Sequence, residues 1–556
     1  MEQPQGLVHG PPRMQPPLPD SGPIADPDPL QQAAALRPLA AALPAWAPLL
    51  PAIAMLVFVL LPPANHDAAV ILDVAQRWLM GQALYRDVVD VNPPLIFLLN
   101  LLPAAIAHWT PIPVIAAFKI CMLGLCGISL CLMRRLRWGC VEGPAETVTL
   151  DAVLPLLLVA GGYDFGQREQ IMTVVALPYL ILAARRYEAG PVGGRLVWAT
   201  ALFAAVGFAL KPHFLAVPLA VEGLLMLRAW MRGRPAGQAA LRDPVPWAMG
   251  AVWLAYAASV PLFFPDYLRI VLGVFGDAYL AYAAPSMRAL LSEPRFGTSL
   301  LLTAAAVWLA FGATAGPLVR CFALAAAGAA ASAIVQQKGW SYHIQPIETF
   351  ALGALAMLAA RALDRMLWST QEGARRFGLA AAGVVMLHMS AVGAAPWPQL
   401  EFGAQPEDRM GAFLQRELGA RGARVLVLAT SIWPIHPGLQ YAGATSTLRT
   451  VDLWPLRVAY TRGCPEGAFG RNVARYRDDR WMEPSERFVW RSVGTDLLVD
   501  PPDAILVALR PDIPPCGSSK FDLLAYFGRN PDFAAGFSHY TPVARYIGYE
   551  LYRRIH

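Results

Sequence analysis

The feature that most constrains this chain is a series of long apolar segments that recurs through its first 393 residues. Most of them are long enough for a helix to cross the hydrocarbon core of a bilayer, which requires roughly 20 residues. Hydrophobic residues make up 56% of the 556 residues, and a soluble protein of this size is rarely so apolar. We therefore predict a polytopic α-helical membrane protein. The apolar segments are 44–62, 93–109, 112–133, 148–162, 170–184, 196–210, 213–228, 246–264, 297–315, 317–335, 344–360 and 377–393.

The connections between these segments alternate in charge. Arginines cluster in every second connection, and the positive-inside rule assigns those connections to the cytoplasm. This pattern explains the net charge of +6, so we exclude nucleic-acid binding. Segment 93–109 is short and contains Pro103, and we expect it to lie along the outer face, which leaves about eleven crossings. The connections expected to face outward are 161–169, 210–213, 265–295, 336–343 and the chain after residue 394.

Composition divides the chain into three parts. Residues 1–42 are rich in Pro, Gln and Ala, which predicts a disordered cytoplasmic tail. Residues 43–394 form the predicted membrane domain, with a first outer loop at 63–111. Residues 395–556 predict an exported α/β domain, because short runs of Val, Ile and Leu alternate with Gly, Pro and Asp. The predicted strands are 425–429, 497–499 and 504–509.

The predicted exported domain shows no signal for nucleotide chemistry. No Gly-rich phosphate-binding loop follows any of its predicted strands, so we assign it no nucleotide site. Cys464 and Cys516 lie in this domain, and their spacing leaves a disulfide between them open. We expect the domain to recognise an acceptor or to cover an active site.

The first outer loop contains a pattern typical of an amphipathic helix. Apolar residues recur at helical spacing between residues 68 and 80, while Asp73 and Arg77 stand four apart and can pair on the polar side. We expect this helix to lie on the membrane surface, with its polar side facing water. Residues 266–290 predict a second element of the same kind.

The outward-facing loops repeatedly set charged residues beside aromatic residues. Asp67 is the leading candidate for a general base, and a helix N-cap is the alternative role for it. Asp87 and Asp90 are further candidates, with turn formation as their alternative role. The remaining candidates are His66 and Tyr85 in the first loop, Asp164, Arg168 and Glu169 in YDFGQRE, Lys211 in LKPHF, and Lys338 and His343 in QQKGWSYH.

An acid and several cations at an outer face suit sugar transfer from a lipid phosphate to a hydroxyl. Phosphate is a good leaving group, so one general base suffices, unlike the two carboxyl groups of a glycosidase. Arg168, Lys211 and Lys338 would bind the donor phosphate. His343 would act as a hydrogen-bonding residue. As alternatives, the lysines anchor helix ends near lipid headgroups, and Asp164 and Arg168 form a structural ion pair.

The sequence gives no support for a metal centre. No cluster of His, Cys and acidic residues has metal-ligand spacing, and Ala68 follows Asp67 where a second acid would be needed. No cofactor is therefore firmly predicted, and a divalent metal stays open.

Three elements of the first loop carry a resemblance to a known family. An acid, Asp67, comes shortly after the first apolar segment, and GQALYRD at 81–87 and NPPL at 92–95 follow it. This arrangement resembles the first outer loop of the GT-C superfamily of membrane glycosyltransferases, in the bacterial branch related to protein O-mannosyltransferases and lipid A aminoarabinose transferases. Two features depart from the family pattern: Asn92 stands where many relatives have a basic residue, and no second acid accompanies Asp67.

The resemblance implies an enzyme of the bacterial cytoplasmic membrane with its active site and C-terminal domain facing the periplasm. A sugar would pass, with inversion, from a polyprenyl-phosphate donor to an envelope glycan, lipid or protein acceptor among the membrane lipids. Asp67 would be the catalytic base, and Asp164 or Glu169 the second functional acid. Two other functions stay open: a transporter or flippase of lipid-linked sugars, and a non-catalytic subunit of an envelope polysaccharide assembly complex.

Overall fold

Helices make up most of the part of the chain that the structure describes. This computed structural model describes residues 43–137, 141–190, 193–282, 285–367, 370–391, 405–419, 422–463, 476–514 and 520–555. The predicted tail at 1–42, Cys464 and Cys516 therefore lie outside the described residues. In the predicted membrane domain, the α-helices are Leu50–Leu60, His66–Leu79, Leu95–Trp109, Val114–Leu136, Pro144–Val159, Arg168–Ala189, Arg195–Phe208, Ala216–Met231, Arg234–Leu241, Pro244–Phe263, Gly276–Ala281, Met287–Ser292, Pro294–Ala310, Pro317–Gln336, Ser341–Leu367 and Gln371–Ala391.

Five helical segments in the described part of the chain are long and apolar enough to cross a membrane. The helix Leu95–Trp109, with Pro103 inside it, has 15 residues, and at 1.5 Å per residue it is shorter than a bilayer core of roughly 30 Å. The five candidate spans are Val114–Leu136, Pro212–Met231, Arg234–Phe263, Pro317–Gln336 and Ser341–Met366.

The outward surfaces of these helices carry large apolar side chains. Leu254 is 74% exposed and Val335 is 73% exposed, whereas a water-soluble helix would turn such residues inward. The inward surfaces are rich in small residues, and the helix Pro317–Gln336 packs along Ser341–Leu367 through buried alanines. Helices whose outward and inward surfaces are both apolar are typical of a bundle that is surrounded by lipid.

The C-terminal part contains a small mixed sheet with helices around it, which agrees with the prediction of strands in an α/β region. Its order is β2-β1-β3-β5-β4, with parallel pairing among β2, β1 and β3 and antiparallel pairing among β3, β5 and β4. The strands are β1 (Arg424–Leu428), β2 (Thr445–Ser446), β3 (Ala504–Ala508), β4 (Tyr540–Tyr546) and β5 (Tyr549–Arg554). The helices around them are Pro406–Leu418, Ile435–Ala442, Trp454–Arg462, Pro484–Val499, Leu523–Phe527 and Pro531–Phe537.

One of the three predicted strands is wrong. The runs at 425–429 and 504–509 correspond to β1 and β3, but Leu497 to Val499 end the helix Pro484–Val499. Val489, Val493 and Leu497 are buried at four-residue spacing, whereas Val499 is exposed. Three adjacent apolar residues were too few to distinguish the last turn of a helix from a short strand.

The amphipathic helix of the first loop is confirmed as His66–Leu79, but the prediction that its polar side faces water is wrong. The predicted ion pair forms, with 3.8 Å between Arg77 Nη1 and Asp73 Oδ2, and both side chains are buried. Arg77 Nη1 also donates a hydrogen bond to the carbonyl oxygen of Leu448 at 2.8 Å. The polar side of this helix is therefore covered by the C-terminal part of the chain.

The extended chain after this helix also pairs with the C-terminal part. The Val89 amide donates to the carbonyl oxygen of Arg449 at 2.6 Å, next to a parallel bridge between Val89 and Thr450. Further back, the Ala64 amide donates to the Tyr441 hydroxyl at 2.9 Å. These contacts fix the first loop between the helices and the sheet, where the cavity described next is formed.

Candidate functional site

A cavity of about 510 Å³ lies where the first loop, the helix ends and the C-terminal part meet. It begins at the N-terminus of the helix His66–Leu79 and extends past the ends of several neighbouring helices. The lining side chains mix carboxylates, cations and aromatic rings. They are Asn65, His66, Asp67, Val70, Ile71, Asp90, Val91, Asn92, Tyr163, Asp164, Arg168, Lys211, Tyr279, Tyr282, Trp340, Ser341, Tyr342, Thr430, Ser431, Ile432, Trp433, Val451, Asp452, Trp454, Arg457 and Asp512.

Asp67 lies in the first turn of its helix with its carboxylate in the cavity. Asn65, not Asp67, caps the helix, because Asn65 Oδ1 accepts from the Asp67 amide at 2.8 Å. The Asp67 side chain is 20% exposed. Its Oδ2 accepts from Gln167 Nε2 at 3.1 Å and lies 3.6 Å from Arg168 Nη2. The capping role is thus filled by a neighbour, and the carboxylate stays accessible to a ligand.

Arg168 is a buried cation beside Asp67. Its Nη1 donates to Asn92 Oδ1 at 2.5 Å, and its guanidinium lies 5.7 Å from the centre of the Tyr342 ring. The structural ion pair with Asp164 is not formed among the described contacts, since Arg168 contacts Asp67 instead. Asn92 therefore holds the Arg168 guanidinium in place.

Asp90 and Asp164 are two buried carboxyls on the cavity wall. Asp90 Oδ1 accepts from the amide and from the side chain of Asn92, and burial raises the Asp90 pKa above its usual value. Asp164 Oδ1 accepts from Asn65 Nδ2 at 3.3 Å, while its Oδ2 has no hydrogen-bond partner among the described residues. Burial raises the pKa of Asp164 to about 7. Asp164 can therefore carry a proton at neutral pH.

Lys211 reaches the cavity from the helix side and is paired with an acid. Its Nζ lies 2.6 Å from Glu169 Oε1 and donates to Gln336 Oε1 at 3.2 Å. Burial lowers the pKa of Lys211 to about 8, and the Glu169 carboxylate opposes this effect. His343 Nε2 lies 3.6 Å from the same Glu169 oxygen. Glu169 and His343 do not line the cavity, so they act on it through Lys211.

The C-terminal part supplies a wall of the cavity whose residues the sequence did not single out. Asp452 is buried there, its Oδ1 accepts from the Trp454 amide at 2.9 Å, and burial raises its pKa to about 7. Arg457 Nη2 lies 2.9 Å from Asp512 Oδ2, and its guanidinium lies over the Tyr282 ring. The one sequence signal for this wall is an acid beside a tryptophan in VDLWP at 451–455, and it does not indicate that the segment meets the first loop.

Besides Glu169 and His343, three more sequence-predicted residues lie away from the cavity lining. Tyr85 is buried and its hydroxyl donates to the Asn92 carbonyl oxygen at 2.7 Å, which helps to shape the loop. Asp87 accepts from the Ala83 amide at 2.8 Å, as a turn residue does. Lys338 Nζ donates to the carbonyl oxygens of two tyrosines, Tyr279 and Tyr282, and lies 5.0 Å from the Tyr279 ring centre.

Aromatic rings cover one side of the cavity. Tyr282 lies 5.4 Å from Trp454 and 6.4 Å from Trp340 between ring centres, and Tyr279 lies 6.2 Å from Trp454. Flat aromatic surfaces beside carboxylates match a sugar, which presents apolar C–H faces and hydroxyl edges. Among the described residues, no group of three or more His, Cys, Asp or Glu side chains is positioned to hold a metal ion.

Comparison with known proteins leaves the chain unassigned to a family. No protein-family model matches the sequence, and no curated protein matches it at a significant level. A functional assignment therefore depends on the geometry of the cavity and on the resemblance of the first loop.

Proposed function

We propose that this protein is an integral-membrane glycosyltransferase that moves a sugar from a polyprenyl-phosphate donor to an envelope glycan, lipid or protein acceptor on the periplasmic face. The observation that carries the proposal is the pairing of an accessible Asp67 carboxylate with the buried Arg168 guanidinium, 3.6 Å away, in a cavity walled by aromatic rings. A carboxylate, a cation and aromatic surfaces are the groups that deprotonate a hydroxyl, hold a phosphate and bind a sugar.

Membrane embedding in this proposal is supported by the five apolar helical segments and by the exposed apolar side chains on their surfaces. The donor's isoprenoid chain would then lie in the bilayer, while its phosphate reaches the cavity at the helix ends. About eleven crossings and a periplasmic orientation belong to the proposal, on the basis of the alternating arginine clusters.

In the proposed reaction, Asp67 removes the proton from an acceptor hydroxyl. The freed oxygen attacks the anomeric carbon as the bond from that carbon to the phosphate oxygen breaks, which inverts the anomeric centre. Polyprenyl phosphate leaves with the bonding electrons, and Arg168 and Lys211 stabilise its charge. Arg168 Nε is buried and has no hydrogen-bond partner among the described residues.

The acceptor would approach along the C-terminal wall. Trp454 and Tyr282 offer aromatic faces there, and Asp452 offers a carboxyl group to sugar hydroxyls. Asp164, which lines the cavity near Asp67, would hydrogen-bond to the donor sugar or the acceptor as the second functional acid. Glu169 would serve by fixing Lys211 rather than by contacting the substrates.

The test is transfer of radiolabelled sugar from polyprenyl-phosphate donors in membranes. Asp67→Asn keeps the size of the side chain but removes the base, so transfer should fall by about 10²-fold or more, the usual contribution of general-base catalysis. Asp87→Asn is the matched control, because it makes the same change in the same loop outside the cavity lining, and it should keep transfer near the native rate.

Equal transfer by the native protein and Asp67→Asn would remove Asp67 from the mechanism. No transfer from any donor by the native protein would count against the enzyme and favour transport or assembly of lipid-linked sugars instead.

A further inference from the structure

A second groove, of about 550 Å³, lies where the C-terminal part meets the segment that follows one of the candidate spans. It runs between the π-helix Tyr267–Phe275 and the helix Pro484–Val499. It shares no lining residue with the cavity that contains Asp67. The groove is lined by Val274, Arg449, Pro484, Arg487, Phe488, Arg491, Ser492 and Thr495.

Three arginines give this groove its charge. Arg449 binds Asp496 through Nε and Nη2, and Arg487 and Arg491 both contact Asp479. Asp496 and Asp479 thus pair with these three guanidinium groups, and Asp87 is a further acid that acts on Arg449. Nη1 of Arg449 and Nη1 of Arg487 have no hydrogen-bond partner among the described residues, so both have donors free for a ligand.

Two hydroxyl groups complete the polar lining of the groove. Ser492 and Thr495 come from the same helix as Arg487 and Arg491, at helical spacing on one side. Ser492 Oγ already donates to the Val489 carbonyl oxygen at 3.2 Å, so the guanidinium groups and the Thr495 hydroxyl are the donors from which phosphate oxygens would accept. The groove therefore has the chemistry of a phosphate-binding site.

The position of the groove along the chain puts it at the level of the membrane surface. The candidate span Arg234–Phe263 ends only four residues before the π-helix Tyr267–Phe275 begins. Leu268, Arg269 and Leu272 of that π-helix are exposed. An apolar surface with a cation beside it, directly after a membrane span, is typical of an element at the interface between lipid tails and headgroups.

We propose that this groove binds the headgroup of an anionic phospholipid of the outer leaflet. Its phosphate would lie among Arg449, Arg487 and Arg491, and its acyl chains would leave the groove past Val274 to reach the exposed Leu268 and Leu272, which lie outside the groove lining. Phe488 packs against Phe275 at 5.2 Å between ring centres, so the bound lipid would sit on the junction that joins the C-terminal part to the π-helix. The ligand would thereby hold the C-terminal part against the membrane surface.

The test is native mass spectrometry of the purified full-length protein titrated with phosphatidylglycerol. In Arg487→Ala/Arg491→Ala, the apparent Kd of the first bound lipid should rise roughly 25-fold, about fivefold for each arginine lost near an anionic group. Arg416→Ala/Arg545→Ala is the matched control, because both arginines are exposed in the C-terminal part and neither lines the groove. Its Kd should stay within about twofold of the native value.

Three comparisons distinguish a lipid site from a site for free phosphate. The native protein should bind phosphatidylglycerol more tightly than phosphatidylcholine, and higher ionic strength should weaken that preference. Inorganic phosphate alone should compete poorly, because it lacks the acyl chains that contact the leucines. Equal affinity for the two lipids, unchanged binding in the double variant, or full competition by inorganic phosphate would each overturn the proposal.

A second variant guards against loss of folding. Arg487→Lys/Arg491→Lys keeps both charges, so it should bind phosphatidylglycerol more tightly than the alanine variant. Equal weakening in the lysine and alanine variants, with native thermal stability in both, would argue against attraction by charge. None of these measurements depends on sugar transfer, so the lipid site and the proposed enzyme can fail independently.

Discussion

At the scale of the residue, Asp164 shows how burial changes the chemistry of a side chain. Its Oδ2 has no hydrogen-bond partner among the described residues, and its Oδ1 accepts a long bond from Asn65. Burial therefore raises its pKa to about 7, because the charged form loses its water without gaining enough hydrogen bonds. The folded protein consequently holds a proton on Asp164 that the unfolded chain releases at lower pH.

Because Asp164 holds this proton in the folded protein, the free energy of unfolding should fall as pH rises. The pKa of Asp164 is about 7 in the folded protein and 3.8 in its ordinary state, so the folded state binds more protons between these values. Its contribution to the free energy of unfolding is present at low pH and is lost as pH rises through that range, by at most about 1.4 kcal/mol per pH unit. Asp164→Asn should therefore lose less stability between about pH 5 and about pH 8 than the native protein.

The measurement is thermal unfolding of the purified protein in detergent at both pH values. Burial raises the pKa of Asp452 to about 7 as well, and Asp452 stays in the variant, so the pH dependence should shrink without vanishing. Asp277→Asn, outside the cavity lining, should keep the native pH dependence. If Asp164→Asn and the native protein showed the same pH dependence of thermal unfolding, the raised pKa of Asp164 would be contradicted.

At the scale of the element, the helix His66–Leu79 is held by both parts of the chain. It packs against Leu95–Trp109 and against Ile435–Ala442. Its N-terminus presents Asp67 to the cavity, while Asp73 and Arg77 are buried further along it. The position of the proposed catalytic base therefore depends on an ion pair several residues away.

Removing one partner of this pair should be costly. Arg77→Ala leaves the buried Asp73 carboxylate without its cation and the Leu448 carbonyl oxygen without its donor, so it should lower the free energy of unfolding by about 3 to 5 kcal/mol. Arg86→Ala removes an arginine from an exposed pair with Asp87 and should cost less than about 1 kcal/mol. Denaturant titration of the two variants in detergent compares these values.

The double variant Asp73→Ala/Arg77→Ala separates the charge from the packing. It leaves no unpaired charge, so it should be destabilised by less than the sum of the two single variants. A strictly additive result would mean that the two side chains do not stabilise each other.

At the scale of the whole molecule, contacts between distant segments decide which parts must share a side of the proposed membrane. The Val89 amide bonds to the Arg449 carbonyl oxygen, and the Ala64 amide bonds to the Tyr441 hydroxyl. The first loop and the C-terminal part must therefore lie on one face. In the proposed topology that face is the outer one, and the arginine-rich connections lie in the cytoplasm.

Labelling of introduced cysteines tests this arrangement. Arg86→Cys in the first loop and Arg545→Cys in β4 replace exposed side chains and should react with a membrane-impermeant maleimide on intact cells. Arg376→Cys, in a predicted cytoplasmic connection, should react only after the membrane is made permeable. The native chain gives the background, because Cys131 is exposed in the structure. Labelling of Arg86→Cys and Arg545→Cys from opposite sides would contradict the fold.

The sequence alone identified helices, two of the strands and six of the residues that line the cavity, namely His66, Asp67, Asp90, Asp164, Arg168 and Lys211. Helical spacing located His66–Leu79, and short aliphatic runs located β1 and β3, because these patterns depend on neighbours within a few residues. Asp67 and Arg168 were singled out because they are charged residues next to apolar segments. A charged side chain near a membrane is costly and is often functional.

Only the tertiary structure shows that the C-terminal part of the chain forms a wall of the cavity beside the first loop. Asp452 and Arg457 are nearly 400 residues from Asp67, and their position depends on the pairing of Val89 with the sheet region rather than on any local pattern. In the structure, the polar side of the helix His66–Leu79 contacts the C-terminal part of the chain, whereas the sequence predicts that this side faces water. The spacing of apolar residues predicts which side of a helix or strand is apolar. Which segments pack against that helix or strand depends on packing and hydrogen bonding between residues that are far apart in the sequence.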